Sequence, residues 1–429
     1  MRRRRLLFVS PQFLFPLDAG GKIRTVNILR GLKGGEFEVT LLSPAAAAAD
    51  GWSDEIARLA DKFMAWPDPT RGMSGSSRRW LSVLHALPVT VAADLSRAAS
   101  TLVQHELSRR FDVVVMDYVH AAIYKPPVCL TPSICLTHNV EAEILRRHAV
   151  VDRRPLMRLL WRHQCDKMER FERKALANFE IVVAISDRDA GIFRDDYGLA
   201  NIRSIPTAVD LDYYQFSAPT RAVPIDPLIV FTGGMDSRAN VNGVEWLVEH
   251  VWPRIAATLP RARGIIVGRN PPEALVARVR ALGYNIRFTG FVDDVRPHMR
   301  GADIAVIPLL VGGGTRIKAY EAMAMGIPVV STTLGVEGLP VRDGEHLIIA
   351  DEAQAFADGV LGLILNPEQR TTLAASARSL VEENFGAGRV ARLFERICLD
   401  VATNQTAMLD GESRLGDPPG PVANRQRSG

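Results

Sequence analysis

The chain has 429 residues, 47% apolar and 23% charged, a globular composition with room for two or three domains. A net charge of +4 is too small to argue for nucleic-acid binding. That charge is uneven: residues 1–205 hold 30 Lys and Arg against 23 Asp and Glu, and the remainder 22 against 25, so the first half should face an acidic partner or surface.

The opening, MRRRRLLFVSP, has an apolar segment at 6–9 that is too short for a secretory signal and suits a buried first strand. The loop after it, SPQFLFPLDAGGKIRT, carries Gly20 and Gly21 just before a helical pattern at 23–32. A strand is predicted at 37–42, a helix at 53–63, a Pro/Gly/Ser-rich loop at 67–77 and another helix at 78–87. Strands follow at 112–116 and 133–137, the second running into His138-Asn139-Val140-Glu141. A long helical pattern covers 141–178, with Pro155 as its break. A strand at 181–185 ends in Ser186-Asp187, a good N-cap for a helix at 188–197, and a strand at 202–205 completes this half.

Pro206, Pro219 and Pro224 mark an interdomain connection over 206–226. A second series then places strands at 228–231, 264–267, 286–288, 304–307, 329–331 and 347–349, with helices between them. Two alternating series imply an α/β protein of two doubly wound, Rossmann-like domains, 1–205 and 227–385, with ligands beyond the strand C-termini in the cleft between them. A helix over 386–400 can return to the first domain, and 401–429 reads as a disordered tail. Cys129, Cys135, Cys165 and Cys398 show neither a CxxC pair nor zinc spacing, and no apolar run is long enough to cross a bilayer. A cytoplasmic location follows as the expectation.

The stretch 311–331, VGGGTRIKAYEAMAMGIPVVS, reads as a glycine loop after a strand, a helix, a stop at Gly326 and Pro328, and a further strand. Free N–H groups and the helix dipole converge on such a loop, which makes it a phosphate site. Arg316 and Lys318 supply charge beside it, and Glu321 is placed to accept hydrogen bonds from ribose hydroxyls, so a nucleoside diphosphate is expected rather than free phosphate. His138, at a strand end, is a candidate for polarising or orienting a reacting group. The Asp18-Ala19-Gly20-Gly21-Lys22 turn lets backbone approach a ligand from the other side. Taken singly, a glycine-rich surface turn explains the loop equally well, and a lone histidine is more often structural or solvated.

Together they resemble the GT-B-fold glycosyltransferases of family 4, in particular the bacterial members that build exopolysaccharide or other surface glycans. The likeness runs to about residue 400. It is carried by TGFVDDVRPHMRGADIAVIPLLVGGGTRIKAYEAMAMGIPVVST and GVEGLPVRDGEHLI, with support from FTGGMDSRANVNGVEWL and SDRDA. The resemblance implies that Glu321 holds the donor ribose and that Gly313, Gly314 and Thr315 contact donor diphosphate and sugar. It implies further that the turn at Gly290 and Val292 holds the nucleobase, His138 lies at the reaction centre, and Gly20 and Gly21 approach the donor phosphate and acceptor.

Two positions depart from the family pattern. Gly313 stands where the first of two glutamates is expected, so its contact must come from backbone or another side chain. The arginine and lysine expected after the first strand of the second domain are missing, with Gly234 at the arginine position and only Arg238 near the lysine; Arg316 and Lys318 are therefore expected to neutralise the diphosphate. The implied chemistry is retaining transfer from a nucleotide-sugar donor to a glycan or lipid-linked acceptor, metal-independent and with no cofactor, the departing diphosphate helping to deprotonate the acceptor. The basic stretch 146–174, interleaved with Leu156, Leu159 and Trp161, and the leading arginines suit the anionic inner face of the cytoplasmic membrane; a solvated helix face is the plain alternative. Three rivals remain: a nucleotide-sugar sensor without turnover, a nucleotide-sugar 2-epimerase, and a dinucleotide oxidoreductase. The last lacks a G-x-G-x-x-G with a following acidic residue.

Overall fold

A computed structural model describes residues 3–17, 19–45, 49–67, 86–152, 154–219, 222–312 and 316–414. Asp18, Gly313, Gly314 and Thr315 lie outside the described residues, as do the loop and helix expected between 68 and 85. Thirteen described strands form two parallel sheets. The first has β1 (Arg4–Val9), β2 (Phe37–Ala45), β3 (Lys62–Pro67), β4 (Val113–Asp117), β5 (Ser133–Leu136), β6 (Ile181–Ala184) and β7 (Ile202–Ser204), in the order β3-β2-β1-β4-β5-β6-β7. The second has β8 (Leu228–Thr232), β9 (Arg263–Val267), β10 (Ile286–Phe288), β11 (Ile304–Ile307), β12 (Val329–Ser331) and β13 (Ile348–Ile349), in the order β10-β9-β8-β11-β12-β13.

The central strands are continuous apolar runs because helices cover both faces. Along β1, Leu6 and Phe8 join one core while Leu7 and Val9 join the core on the opposite face. The same division holds along β11, where Ile304 and Val306 face one core and Ala305 and Ile307 the other. Chain order reverses between β1 and β4 and again between β8 and β11, so the two ligand crevices open above those pairs.

Two expectations are corrected, at 53–63 and in the C-terminal tail. The helix expected at 53–63 stops at Ala57, and the chain enters β3, which pairs with β2 from Thr40↔Lys62 to Ala45↔Pro67. The Asp61 carboxylate accepts from the Val39 N–H at 2.8 Å and from Lys33 at 2.7 Å, which starts the strand, and Pro67 is tolerated because β3 is an edge. The long pattern at 141–178 breaks at Pro155 as expected, into the helices Glu141–Val151 and Pro155–Leu176, with Pro155 opening the second where its missing N–H costs nothing. The last helix spans Ala387–Arg414, past the point where a disordered tail was expected; 415–429 lie outside the described residues. Its apolar side holds it as far as Val401, because Val390, Phe394, Cys398 and Val401 enter the first domain's core beside Leu29 and Leu32. Gly31 permits the approach: a Cβ there would stand 2.1 Å from that of Ala391.

The chain crosses between domains twice, and the crossings are bonded to each other. Val209 N–H donates to the Phe385 carbonyl at 2.9 Å, and Ala387 N–H to the Val209 carbonyl at 3.0 Å.

Candidate active site

At the C-terminal end of the first sheet, four elements deliver a buried polar cluster. Asp117 closes β4 and His138 follows β5, while Ser10 follows β1 and Thr25 lies on the helix Gly20–Leu32. His138 Nε2 meets Asp117 Oδ1 at 2.7 Å, Thr25 donates to the same carboxylate at 3.1 Å and Ser10 at 3.0 Å. His138 is 2% exposed, and burial pushes its pKa below the ordinary histidine value against the opposing pull of Asp117. Arg24, fully buried, donates to the Thr137 carbonyl at 2.5 Å and the Ile205 carbonyl at 3.3 Å, tying together the ends of β5 and β7. Burial lowers its pKa to about 10, opposed chiefly by Asp117.

Tyr118 lies over this cluster. Its backbone is left-handed, with φ of 64°, and its ring stacks on His138 at 3.9 Å between centroids. Gly21 is a glycine for this reason: a Cβ would stand 1.9 Å from the Tyr118 hydroxyl. The first glycine turn thus makes room for a side chain of its own domain.

In the second domain, the helix Ile317–Ala324 follows the glycine loop, and Arg316 caps it in a left-handed conformation with φ of 48°. Glu321 is 6% exposed, and Tyr214, from the interdomain connection, donates to its Oε1 at 2.7 Å. Burial raises the Glu321 pKa, opposed by that bond and by Lys318. Tyr214 packs edge-on against Tyr213 at 4.9 Å, and the Tyr213 hydroxyl donates to Asp294 at 3.2 Å, which links Glu321 to the 290–294 turn. In that turn Gly290 has φ of 72°, Phe291 is exposed and Val292 is half-buried against the core.

Lys318 Nζ donates to Asn240 Oδ1 at 2.9 Å and stands 4.5 Å from the Phe231 ring centroid. A Cβ on Gly233 would come within 3.0 Å of it. Lys318 therefore brings a cation to the loop after β8, the loop in which the sequence lacks its expected arginine and lysine. Burial lowers its pKa to about 7. Arg316 turns elsewhere, to the Gly312 carbonyl at 3.2 Å and Glu337 at 3.6 Å, so the two cations expected at the diphosphate do not share partners. Arg238 pairs with Asp152 of the first domain at 3.4 Å.

Across the cleft, Arg147 donates to the Gly312 carbonyl at 2.5 Å and to Glu337 at 2.8 Å. Arg188 reaches Glu337 at 3.3 Å, and Glu143 binds both arginines. These residues line an interdomain cavity of about 700 Å³ that includes Asn139 and Arg316. The helix that starts three residues after His138 is thereby held against the first residue of the glycine loop.

Several residues of the cluster escaped sequence reasoning. Asp117 carried the same signal as His138, a polar residue closing an apolar strand, and could have been found by it. Tyr118, Thr25 and Arg24 had no such mark, and Tyr214, Arg147, Arg188 and Glu337 matter only through contacts distant in sequence.

The sequence profile of the group 1 glycosyl transferases matches residues 226–366. The chain has the GT-B fold, and its residues 226–366 are similar to the group 1 glycosyl transferases. The chain is 29% identical over 211 residues to phosphatidyl-myo-inositol mannosyltransferase of Mycobacterium leprae, covering 47% of this chain and 56% of that protein; it thus spans about half the length of the mycobacterial relatives it matches. It is 21% identical over 395 residues to an uncharacterised 44.6 kDa protein in the cps region of Klebsiella pneumoniae, covering 90% of this chain and 97% of the other. Among solved structures, sucrose-phosphate synthase from Thermosynechococcus elongatus superposes with a TM-score of 0.71 at 16% identity, covering 94% of this chain and 100% of that one. Anabaena Alr3699/HepE in complex with UDP and glucose superposes at 0.64 and 16% identity, covering 92% and 99%. At such identity these two structures speak for the fold alone.

Proposed function

We propose that this protein is a retaining glycosyltransferase that moves a sugar from a nucleoside-diphosphate donor to a glycan or lipid-linked acceptor in surface polysaccharide synthesis. The observation that carries the reading is the bond from Arg147 to the Gly312 carbonyl, which sets the helix that follows His138 against the glycine loop before the helix bearing Lys318 and Glu321. The UDP and glucose bound by HepE, and the cps-region setting of the Klebsiella relative, support the donor and the pathway class.

In this reading Lys318 and the N-terminus of the helix Ile317–Ala324 stabilise the charge that grows on the leaving diphosphate, and Glu321 accepts from the donor ribose beside Tyr214. The turn at Gly290 and Val292 receives the base. Gly313, Gly314 and Thr315 contact diphosphate and sugar through backbone, and Gly20 and Gly21 lie near the donor phosphate and the acceptor. The diphosphate itself takes the acceptor proton, so the step is metal-independent.

The same reading includes contact with an anionic membrane from the cytoplasmic side. Val150, Leu156 and Leu159 are exposed apolar residues beside the exposed Arg154, Arg158 and Arg162, the composition that lies on a charged lipid surface. Among the described residues, no helix is long and apolar enough to cross a membrane.

The test is turnover. The full chain, incubated with UDP-, GDP- or ADP-sugars and a lipid extract as acceptor, should release the nucleoside diphosphate and form an anomerically retained linkage, with EDTA without effect. Binding without release would favour a sensor, and an epimerised donor without acceptor would favour an epimerase; an inverted linkage would overturn the mechanism.

A further inference from the structure

His138 has a buried nitrogen that the cluster leaves over. Its Nε2 is engaged by Asp117, while Nδ1 is buried and has no hydrogen-bond partner among the described residues. Asp117 has carboxylate oxygens that only accept, and Thr25 and Ser10 already donate to them. The bond at 2.7 Å therefore needs the proton on Nε2, which leaves Nδ1 of a neutral imidazole as a lone pair. Stacking of Tyr118 on the ring face resists the ring flip that would exchange these positions. Burial of an unmatched acceptor is costly unless a ligand supplies the donor.

We propose that Asp117 is a positioning residue: it holds His138 as the Nε2–H tautomer, so that Nδ1 is the acceptor offered to a hydroxyl of the transferred sugar. This rests on the transferase reading for the identity of the ligand, but the tautomer is a property of the unliganded protein. Asp117 is fully buried, is engaged by three side chains and acts through His138. Tyr118, held left-handed and admitted by Gly21, keeps the ring in place.

The test is a two-bond proton–nitrogen correlation spectrum of the full chain labelled with ¹⁵N-histidine, with His138 assigned from the signal that His138→Gln removes. The wild type should show His138 as Nε2–H with an unprotonated Nδ1. Asp117→Asn should move population toward Nδ1–H, because the introduced amide can donate to Nε2. It should also lower kcat on the order of a hundredfold, with donor KM changed by less than about threefold. An Nδ1–H tautomer in the wild type, or unchanged kcat in a folded Asp117→Asn, would overturn the proposal. The wild-type spectrum decides even where the variant fails to fold. A wild type that turns over no nucleotide sugar would instead defeat the transferase reading and leave the tautomer result standing.

Discussion

Arg147 Nη1 donates to the carbonyl oxygen of Gly312 at 2.5 Å, and the same guanidinium holds Glu337 at 2.8 Å. One side chain of the first domain thus grips two loops of the second, directly beside the glycine loop.

Breaking that grip should open the cleft. In Arg147→Ala, scattering should give a larger radius of gyration than in the wild type, and kcat/KM for the donor should fall about tenfold, the equivalent of one charge-assisted hydrogen bond. An unchanged radius of gyration would mean that the bonded crossing at Val209 and Phe385 sets domain closure without this contact.

Much of the fold was legible because its central strands are buried on both faces and so appear as unbroken apolar runs; the strands at 304–307 and 329–331 were expected where they occur. β3 was not legible, since an edge strand reading Lys-Phe-Met-Ala-Trp-Pro buries mainly Trp66 and has no such run. In the site, His138 and the glycine turns were visible from their places at strand ends. Lys318 was visible as a charge, but its destination at Asn240 was not, because that contact spans 78 positions and depends on how β8 and β11 lie side by side. Gly21 was read as a turn that lets backbone approach a ligand; its clearance for the Tyr118 hydroxyl, a contact distant in sequence, was not visible.

The last point is testable by a double-mutant cycle. Gly21→Ala should destabilise the protein by about 1–3 kcal/mol through overpacking against the Tyr118 hydroxyl. In a Tyr118→Ala background the same change should cost far less, measured by urea unfolding. Equal costs in the two backgrounds would remove Tyr118 as the reason for the glycine.

Lys318 sets a pH dependence. Burial holds its pKa at about 7 against an ordinary value of 10.5, so between those limits the unfolded chain binds more protons than the folded one. Its contribution to stability accordingly improves as pH rises from 7 toward 10.5 and is lost as pH falls through that window. Binding of an anion runs the other way, because a diphosphate favours the charged amine and must bring a proton with it above pH 7. Calorimetry should therefore show UDP affinity falling about tenfold per pH unit above 7 with proton uptake, and Lys318→Met should flatten the profile. A wild-type profile already flat from pH 7 to 9 would separate Lys318 from the diphosphate.

Membrane contact is checked by cosedimentation. The wild type should pellet with phosphatidylcholine vesicles containing phosphatidylglycerol and much less with phosphatidylcholine alone, with loss of binding at high salt. Replacing Leu156 and Leu159, both exposed, with serine should weaken it further. Binding indifferent to anionic lipid would return the basic helix to the role of a solvated face.

Glu321 carries the central claim, that the second domain holds a nucleoside-diphosphate sugar by its ribose. A thermal-shift screen of UDP, GDP and ADP sugars, run in parallel on the wild type and Glu321→Ala, tests this most directly. The account predicts that one nucleotide class raises the wild-type melting temperature and that the variant, folded but lacking the carboxylate beside Tyr214, loses that shift. Absence of a shift with every nucleotide sugar, or the same shift in both proteins, would contradict it.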